Sequence, residues 1–190
     1  MAGVARRQIG GTRIAAVSIA ATPYPDARGA AVIFSPGSYS FRPTKSGFWR
    51  FVLWGGGGNA LSGASQAGGS SSMAIKDAFL DVSQTAPIVC GGPGADSTVT
   101  LPGGVVTAGA GNSSGAAGVA SGGDINLPGV AGLSGGSAIG PAAPSYGDFN
   151  GGAAVAANTA GNAPGGGSGT AFGGTLYGAS GLVMVFFVRD

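Results

Sequence analysis

The stretch that decides the fold is Phe48-Trp-Arg-Phe-Val-Leu-Trp-Gly-Gly-Gly-Gly58. Apart from Arg50, its first seven residues are apolar on both faces of an extended strand, which favours a central strand in a sandwich or at a subunit contact. The run Leu182-Val-Met-Val-Phe-Phe-Val188 near the end of the chain has the same character. We expect both runs to be central strands that can pair, joining opposite ends of the domain in one sheet.

Shorter segments between 30 and 108 are also typical of strands. Residues 38–42 alternate polar and apolar side chains, and turn residues stand on either side, at Pro36-Gly37 and Lys45-Ser-Gly47. The pattern predicts strands at 31–34, 38–42, 73–82, 87–90, 98–101 and 105–108. A short helix is the alternative for 73–83, because Asp77 and Asp81 are four residues apart.

The composition excludes several classes of protein. Of 190 residues, 41 are Gly and 11 are Pro, only 8% are charged, and there is no His and no Glu. A chain this apolar must fold or assemble, because disordered chains stay unfolded by being polar and charged. Without His, neither a Ser-His-Asp relay nor a His metal site can form, and the single Cys90 cannot form an intrachain disulfide. We expect no enzyme, no cofactor and no metal site.

The basic residues are concentrated at the start of the chain. Seven of the nine Lys and Arg residues lie in the first fifty. Residues 1–28 are interpreted as a basic N-terminal attachment arm that contains Arg6, Arg7 and Arg13, with residues 29–190 as the domain. The prolines at 23 and 25 favour an extended path. We expect the arm to lie against another chain and not against the protein's own sandwich.

Other partners fit this pattern less well. A nucleic-acid binder carries basic residues along its main domain, so nucleic acid is not expected. No apolar run approaches the ~20 residues of a membrane span. Residues 14–21 allow a signal peptide as an alternative, although the run is short and the basic region before it is long.

The zone from 109 to 180 is rich in Gly, Ala, Ser and Asn. Part of it has glycines three residues apart, at Gly115 and Gly118 and again at Gly129, Gly132 and Gly135. Three residues per turn is the period of a polyproline-II helix, and glycine lets such strands pack closely enough to hydrogen-bond to one another. Packed glycine strands are the favoured interpretation, and flexible glycine loops are the alternative.

The order of these motifs is similar to that of a known family. The shared segments are Phe34-Ser-Pro-Gly-Ser-Tyr-Ser-Phe41, Trp54-Gly-Gly-Gly-Gly58, Gly68-Gly-Ser-Ser-Ser72, Val89-Cys-Gly-Gly-Pro-Gly94, Ser97-Thr-Val-Thr100, Val106-Thr-Ala-Gly-Ala-Gly111 and Gly178-Ala-Ser-Gly-Leu-Val-Met-Val-Phe-Phe187. The chain resembles the glycine-rich domain of bacteriophage tail fibres, spikes and adhesins, which also occurs in some receptor tyrosine kinases. The resemblance covers about residues 30–188 and departs from the family at 78–87.

The resemblance implies a fold, a location and an assembly. The implied fold is an all-β sandwich of jelly-roll or tumour-necrosis-factor-like type, with polyglycine-II helices. In phages it also implies a position on the virion surface and often a homotrimer. The apolar faces of 48–54 and 182–188 favour the same assembly, because they offer more surface than one sandwich of this length readily buries.

Two groups of side chains are considered as sites. Tyr146, Asp148, Phe149 and Asn150 stand on a glycine-rich loop and are candidates for contact with a sugar or another host surface group, since loops on rigid scaffolds commonly bind ligands. The alternative is that they pack beneath the loop. A glycoside-cleaving carboxylate pair at Asp77 and Asp81 is disfavoured against two solvated surface acids.

The leading hypothesis is a phage structural protein, a small fibre or spike subunit on the tail or the head. Its arm would contact other virion proteins, and its domain would face outward toward the host surface. One alternative is a capsid decoration or cement protein without a receptor role. Another is a secreted cellular adhesin module.

Overall fold

The computed structural model describes residues 6–9, 12–17, 31–61, 65–135, 138–171 and 173–190, with side chains from residue 32 onward. Within these ranges every helix or strand is a β-strand. The strands are β1 (Arg6–Ile9), β2 (Thr12–Val17), β3 (Ala31–Phe34), β4 (Gly37–Phe41), β5 (Gly47–Trp54), β6 (Met73–Leu80), β7 (Ala86–Cys90), β8 (Ser97–Leu101), β9 (Gly104–Ala108), β10 (Ala120–Ser121), β11 (Ile125–Leu127) and β12 (Leu182–Arg189).

The strands form two antiparallel sheets that pack together. The larger has the order β1-β2-β3-β12-β5-β6-β11, and the smaller has the order β10-β9-β8-β7-β4. The prediction of an all-β sandwich is confirmed. So is the central position of the two apolar runs, because β12 pairs with β5 from Leu182↔Trp54 to Phe187↔Trp49. The segment at 73–80 is a strand and not the alternative helix. The jelly-roll subtype stays a prediction.

The main core lies between the two sheets. Phe51 and Leu53 of β5 and Val183 and Val185 of β12 are fully buried there. They pack with side chains of the smaller sheet, among them Ile88, Val99 and Val106. Alternate residues of a strand point to opposite faces, so only every second side chain of the apolar runs 48–54 and 182–188 can lie in this core.

The outer face of the larger sheet carries a second core. Val52 and Trp54 of β5, with Met184 and Phe186 of β12, are buried there against Ala143 and Phe149 from the glycine-rich zone. The expectation that these strands leave apolar faces for a subunit contact is therefore wrong. The chain covers them itself, and the argument for a trimer that rested on them is removed.

The described part of the N-terminal arm is a hairpin. β1 and β2 pair from Arg6↔Ala15 to Ile9↔Thr12, and β2 extends the larger sheet through Ala16↔Val32 and Val17↔Ala31. The expectation that the arm stays off the protein's own sandwich is wrong for these residues. Pairing with the free edge of β3 satisfies backbone groups that an isolated extended arm would leave to solvent. The attachment role stays a prediction.

A hydrogen-bonded network with a period of three connects the glycine-rich segments. Successive amides of residues 67–72 donate to three different neighbouring segments in turn, and each neighbour is reached again three residues later. The six bonds are Ala67 to Leu133, Gly68 to Ser168, Gly69 to Asn112, Ser70 to Val130, Ser71 to Gly165 and Ser72 to Gly109, at 2.8–3.1 Å between N and O. Three residues per turn is the period of a polyproline-II helix.

Close approach of these segments explains why so many positions are glycine. A Cβ atom at Gly56, Gly57, Gly68, Gly111 or Gly132 would lie far inside van der Waals contact with a carbonyl oxygen of a neighbouring segment. Only a residue without a side chain permits these backbones to come so near. Packed polyglycine-II helices over the whole of 109–180 stay a prediction, and β10 and β11 are ordinary strands within that zone.

Candidate functional site

A finger-like segment of the glycine-rich zone lies over the outer face of the larger sheet. We call residues 140–155 the finger. Its two sides are joined by reciprocal backbone bonds between Gly140 and Val155 and by a bond from the Ala143 amide to the Gly152 carbonyl. The Trp54 indole donates to the Pro144 carbonyl at 2.9 Å. This hydrogen bond, together with apolar contacts in the second core, holds the finger on β5.

The tip of the finger is a tight turn. Tyr146 and Phe149 exchange backbone hydrogen bonds of 2.9 and 3.0 Å across the two residues between them. Gly147, the first of those two, has φ +56°, as a type II′ turn requires at that position. Tyr146 and Phe149 are cross-strand partners, so both side chains lie on one side of the turn.

The predicted surface residues at the tip fall into different environments. Phe149 is 6% exposed and packs against Phe186, with ring centroids 5.6 Å apart. It therefore belongs to the second core, as the alternative interpretation had it. Tyr146 is 40% exposed. Asp148 and Asn150 are exposed, and neither is among the residues that line the pocket beside the tip.

That pocket lies between the tip of the finger and the side of the larger sheet that ends in β11. It has a volume of about 140 Å³. It is lined by Arg50, Ile75, Asp77, Asp124, Ile125, Tyr146 and Phe149. We call it the tip pocket. Its floor is formed by β5, β6 and β11, and its aromatic wall by the turn.

An ion pair between neighbouring strands forms the centre of the floor. Arg50 of β5 and Asp77 of β6 are opposite each other in the sheet. The Arg50 guanidinium donates two hydrogen bonds of 2.7 Å to the two carboxylate oxygens of Asp77. A bidentate pair of this kind is strong and fixes the orientation of both groups. The side chains are 19% and 33% exposed, so the pair is partly shielded from solvent, and Asp77 is the more accessible of the two.

A second carboxylate completes the floor. Asp124 accepts a hydrogen bond from the Lys76 ammonium at 2.5 Å and one from the Asp77 amide at 2.9 Å. Partial burial alone would raise the pKa of Asp124. The hydrogen bonds from Lys76 and Asp77 and the positive charges of Lys76 and Arg50 outweigh that effect and hold the pKa below its ordinary value. Asp124 is therefore ionised at neutral pH.

Sequence reasoning missed this floor, although it considered Asp77. Asp77 was considered with Asp81, but four residues of extended strand span about 13 Å. That exceeds the roughly 5–9.5 Å between paired carboxylates in glycosidases. Asp81, in the turn after β6, instead accepts hydrogen bonds from the Ser83 amide in the same turn and from the Ser46 hydroxyl just before β5. The missing information was the register of β5 against β6, which places Asp77 beside Arg50.

The remaining predicted positions lie elsewhere. Arg6 and Arg7 are on β1 and Arg13 is on β2, at the far edge of the larger sheet from β11. Cys90 is buried in the main core, where burial raises the pKa of its thiol to about 11. Among the described residues, no group of three or more His, Cys, Asp or Glu side chains is arranged to hold a metal ion.

No protein-family model matches the chain, and no curated protein matches it. In the part of the chain that the structure describes, no helix is long and apolar enough to cross a membrane.

Proposed function

We propose that the chain is a non-enzymatic structural protein of a bacteriophage particle. It is a small fibre or spike subunit of the tail or head, located on the virion surface. The observation that supports this most is the period-three network of residues 67–72, combined with the ordered motifs that resemble phage fibre domains. The network satisfies the backbone of irregular segments in the interior, and so provides a rigid support for an exposed binding segment.

The finger is the segment that faces outward in this proposal. Binding residues are commonly carried on loops held by a rigid scaffold. Here the Trp54 indole and the second core hold the finger in place, and its tip displays an exposed tyrosine beside a pocket. The tip is therefore the surface that contacts the host cell.

Attachment to the particle belongs to residues 1–28. Among the described residues, β2 pairs with β3 at Ala16↔Val32 and Val17↔Ala31, and in this proposal the basic hairpin exchanges these edge bonds for contacts with a neighbouring virion protein. The sandwich itself forms a homotrimer in this proposal. Several exposed apolar side chains of the glycine-rich zone, Val119, Val130 and Leu133, are available for contact between subunits.

One experiment tests the two parts of this assembly separately. The full chain and a variant lacking residues 1–22 are compared for molar mass by light scattering and for incorporation into particles that lack the protein. We expect both to be trimers, because the core residues that the structure describes all lie after residue 31, outside the deleted segment. We expect only the full chain to be incorporated. A stable monomer of the full chain would contradict the trimer, and normal incorporation of the truncated protein would contradict the attachment role.

A further inference from the structure

We propose that the tip pocket binds one ring of a neutral sugar, with Tyr146 against the ring and Asp77 and Asp124 accepting hydrogen bonds from its hydroxyl groups. The inference rests on the proposed host-surface role, for which it names the class of ligand. Three features of the pocket support it: its balanced charge, its remaining hydrogen-bonding capacity and its aromatic wall.

The charges around the pocket cancel. Two carboxylates, Asp77 and Asp124, are paired with two cations, Arg50 and Lys76, at 2.5–2.7 Å. A charged ligand would have to separate one of these pairs and leave a poorly compensated ion in a partly buried place, which is costly. A neutral ligand leaves both pairs intact, so the electrostatics favour an uncharged molecule.

The carboxylates retain capacity to accept further hydrogen bonds. Each of their four oxygens accepts one of the hydrogen bonds already described, two from Arg50 to Asp77 and one each from Lys76 and the Asp77 amide to Asp124. A carboxylate oxygen has two lone pairs. Asp124 is 50% exposed and Asp77 is 33% exposed, so hydroxyl donors can reach them. A molecule with two adjacent hydroxyl groups matches this arrangement of acceptors.

The wall of the pocket provides an apolar surface. Tyr146 is exposed, and Ile75, Ile125 and Phe149 line the pocket beside it. Aromatic side chains offer a large rigid apolar face together with a polar end. A pyranose ring has the complementary character, with C–H groups on its faces and hydroxyl groups around its edge.

The size of the pocket limits the ligand. Pockets for drug-sized ligands measure about 300–1,000 Å³, whereas this one measures about 140 Å³. It therefore admits a single ring and not a longer chain, as expected for recognition of a terminal sugar on a cell surface. With so small a contact we expect weak affinity per site, with a Kd on the order of 1 mM, which a trimer would strengthen through multivalency.

The test is a titration of the full chain with methyl glycosides of glucose, galactose and mannose, followed by amide chemical shifts. Glucuronic acid and glucosamine serve as charged counterparts. We expect saturable shifts at residues 50, 75–77, 124–125 and 146–149 with at least one neutral glycoside, and weaker binding of both charged sugars. No saturable shift with any neutral glycoside, or tighter binding of a charged sugar, would overturn the proposal.

Two tyrosine variants provide the matched comparison. Tyr146→Ala should weaken binding of that glycoside at least tenfold, whereas Tyr177→Ala should leave it unchanged. Tyr177 is 62% exposed and does not line the pocket. Equal affinity of Tyr146→Ala and wild type would contradict the site. Tyr146→Ala should still be incorporated into particles, because the virion role does not depend on the sugar site. Loss of sugar binding with normal incorporation therefore tests this inference separately from the virion role.

Discussion

Replacing Gly132 with valine is expected to lower the free energy of unfolding by about 2 kcal/mol or more, as overpacking of a close contact does. A Cβ atom at this position would overlap the Ala67 carbonyl oxygen, which is backbone and cannot rotate away. The Gly132 amide also donates to the Gly115 carbonyl at 2.8 Å. Moving the segment to make room would lengthen that bond. In a thermal melt of a domain of this size the midpoint should fall by roughly 5 °C or more.

Gly174 provides the matched control. It lies in the same glycine-rich part of the chain, and a Cβ atom there would have no neighbouring atom within 4 Å. Gly174→Val should therefore stay within about 0.5 kcal/mol of wild type, as surface substitutions usually do. Equal midpoints for Gly132→Val and Gly174→Val would show that the segments around Gly132 are not packed as described.

Replacing Phe149 with alanine is expected to cost about 3–5 kcal/mol, the usual range for a buried phenylalanine. Its ring packs on Phe186 and closes the second core over the larger sheet. Without it, the outer faces of β5 and β12 would be partly uncovered and the tip of the finger would lose its anchor. Chemical denaturation with tryptophan fluorescence measures the effect, because Trp54 lies in the same cluster.

Tyr146→Ala is the control for this second variant. Tyr146 is the cross-strand partner of Phe149 at the same turn, but its side chain is 40% exposed. Its replacement should change the free energy of unfolding by about 0.5 kcal/mol or less. If Phe149→Ala were as stable as Tyr146→Ala, the finger would not be held to the sheet by its tip.

The sequence predicted the strands between 31 and 108 and the strand at 182–189 because their patterns are local, whereas β1, β2, β10 and β11 were not predicted. The apolar runs at 48–54 and 182–188 are buried on both faces, so their composition alone identified them as central strands. The alternation at 38–42 likewise needed no distant information. The strand at 73–80 was harder, because the spacing of Asp77 and Asp81 also fits a helix, and pairing with β5 decides the outcome.

The covered outer face and the tip pocket could not be predicted from the sequence, because both depend on contacts between residues far apart in the chain. No local sequence pattern indicates that the finger folds back over the outer face of the larger sheet. The hydrogen bond from the Trp54 indole to the Pro144 carbonyl joins residues 90 positions apart. The bond between Arg50 and Asp77 joins residues 27 positions apart and depends on strand register. The glycine spacing near Gly132 did indicate close backbone packing, but the partner at Ala67 lies outside the zone that the sequence singled out.

The most direct test of this fold is amide hydrogen exchange of residues 67–72 in the intact protein. These residues precede β6, and their bonding partners lie in three other segments. The period-three network predicts slow exchange at all six amides, comparable to that of β5 and β12, because all of them open only with larger unfolding. Exchange as fast as that of the exposed Gly103 amide in the β8–β9 turn would show that the network does not exist.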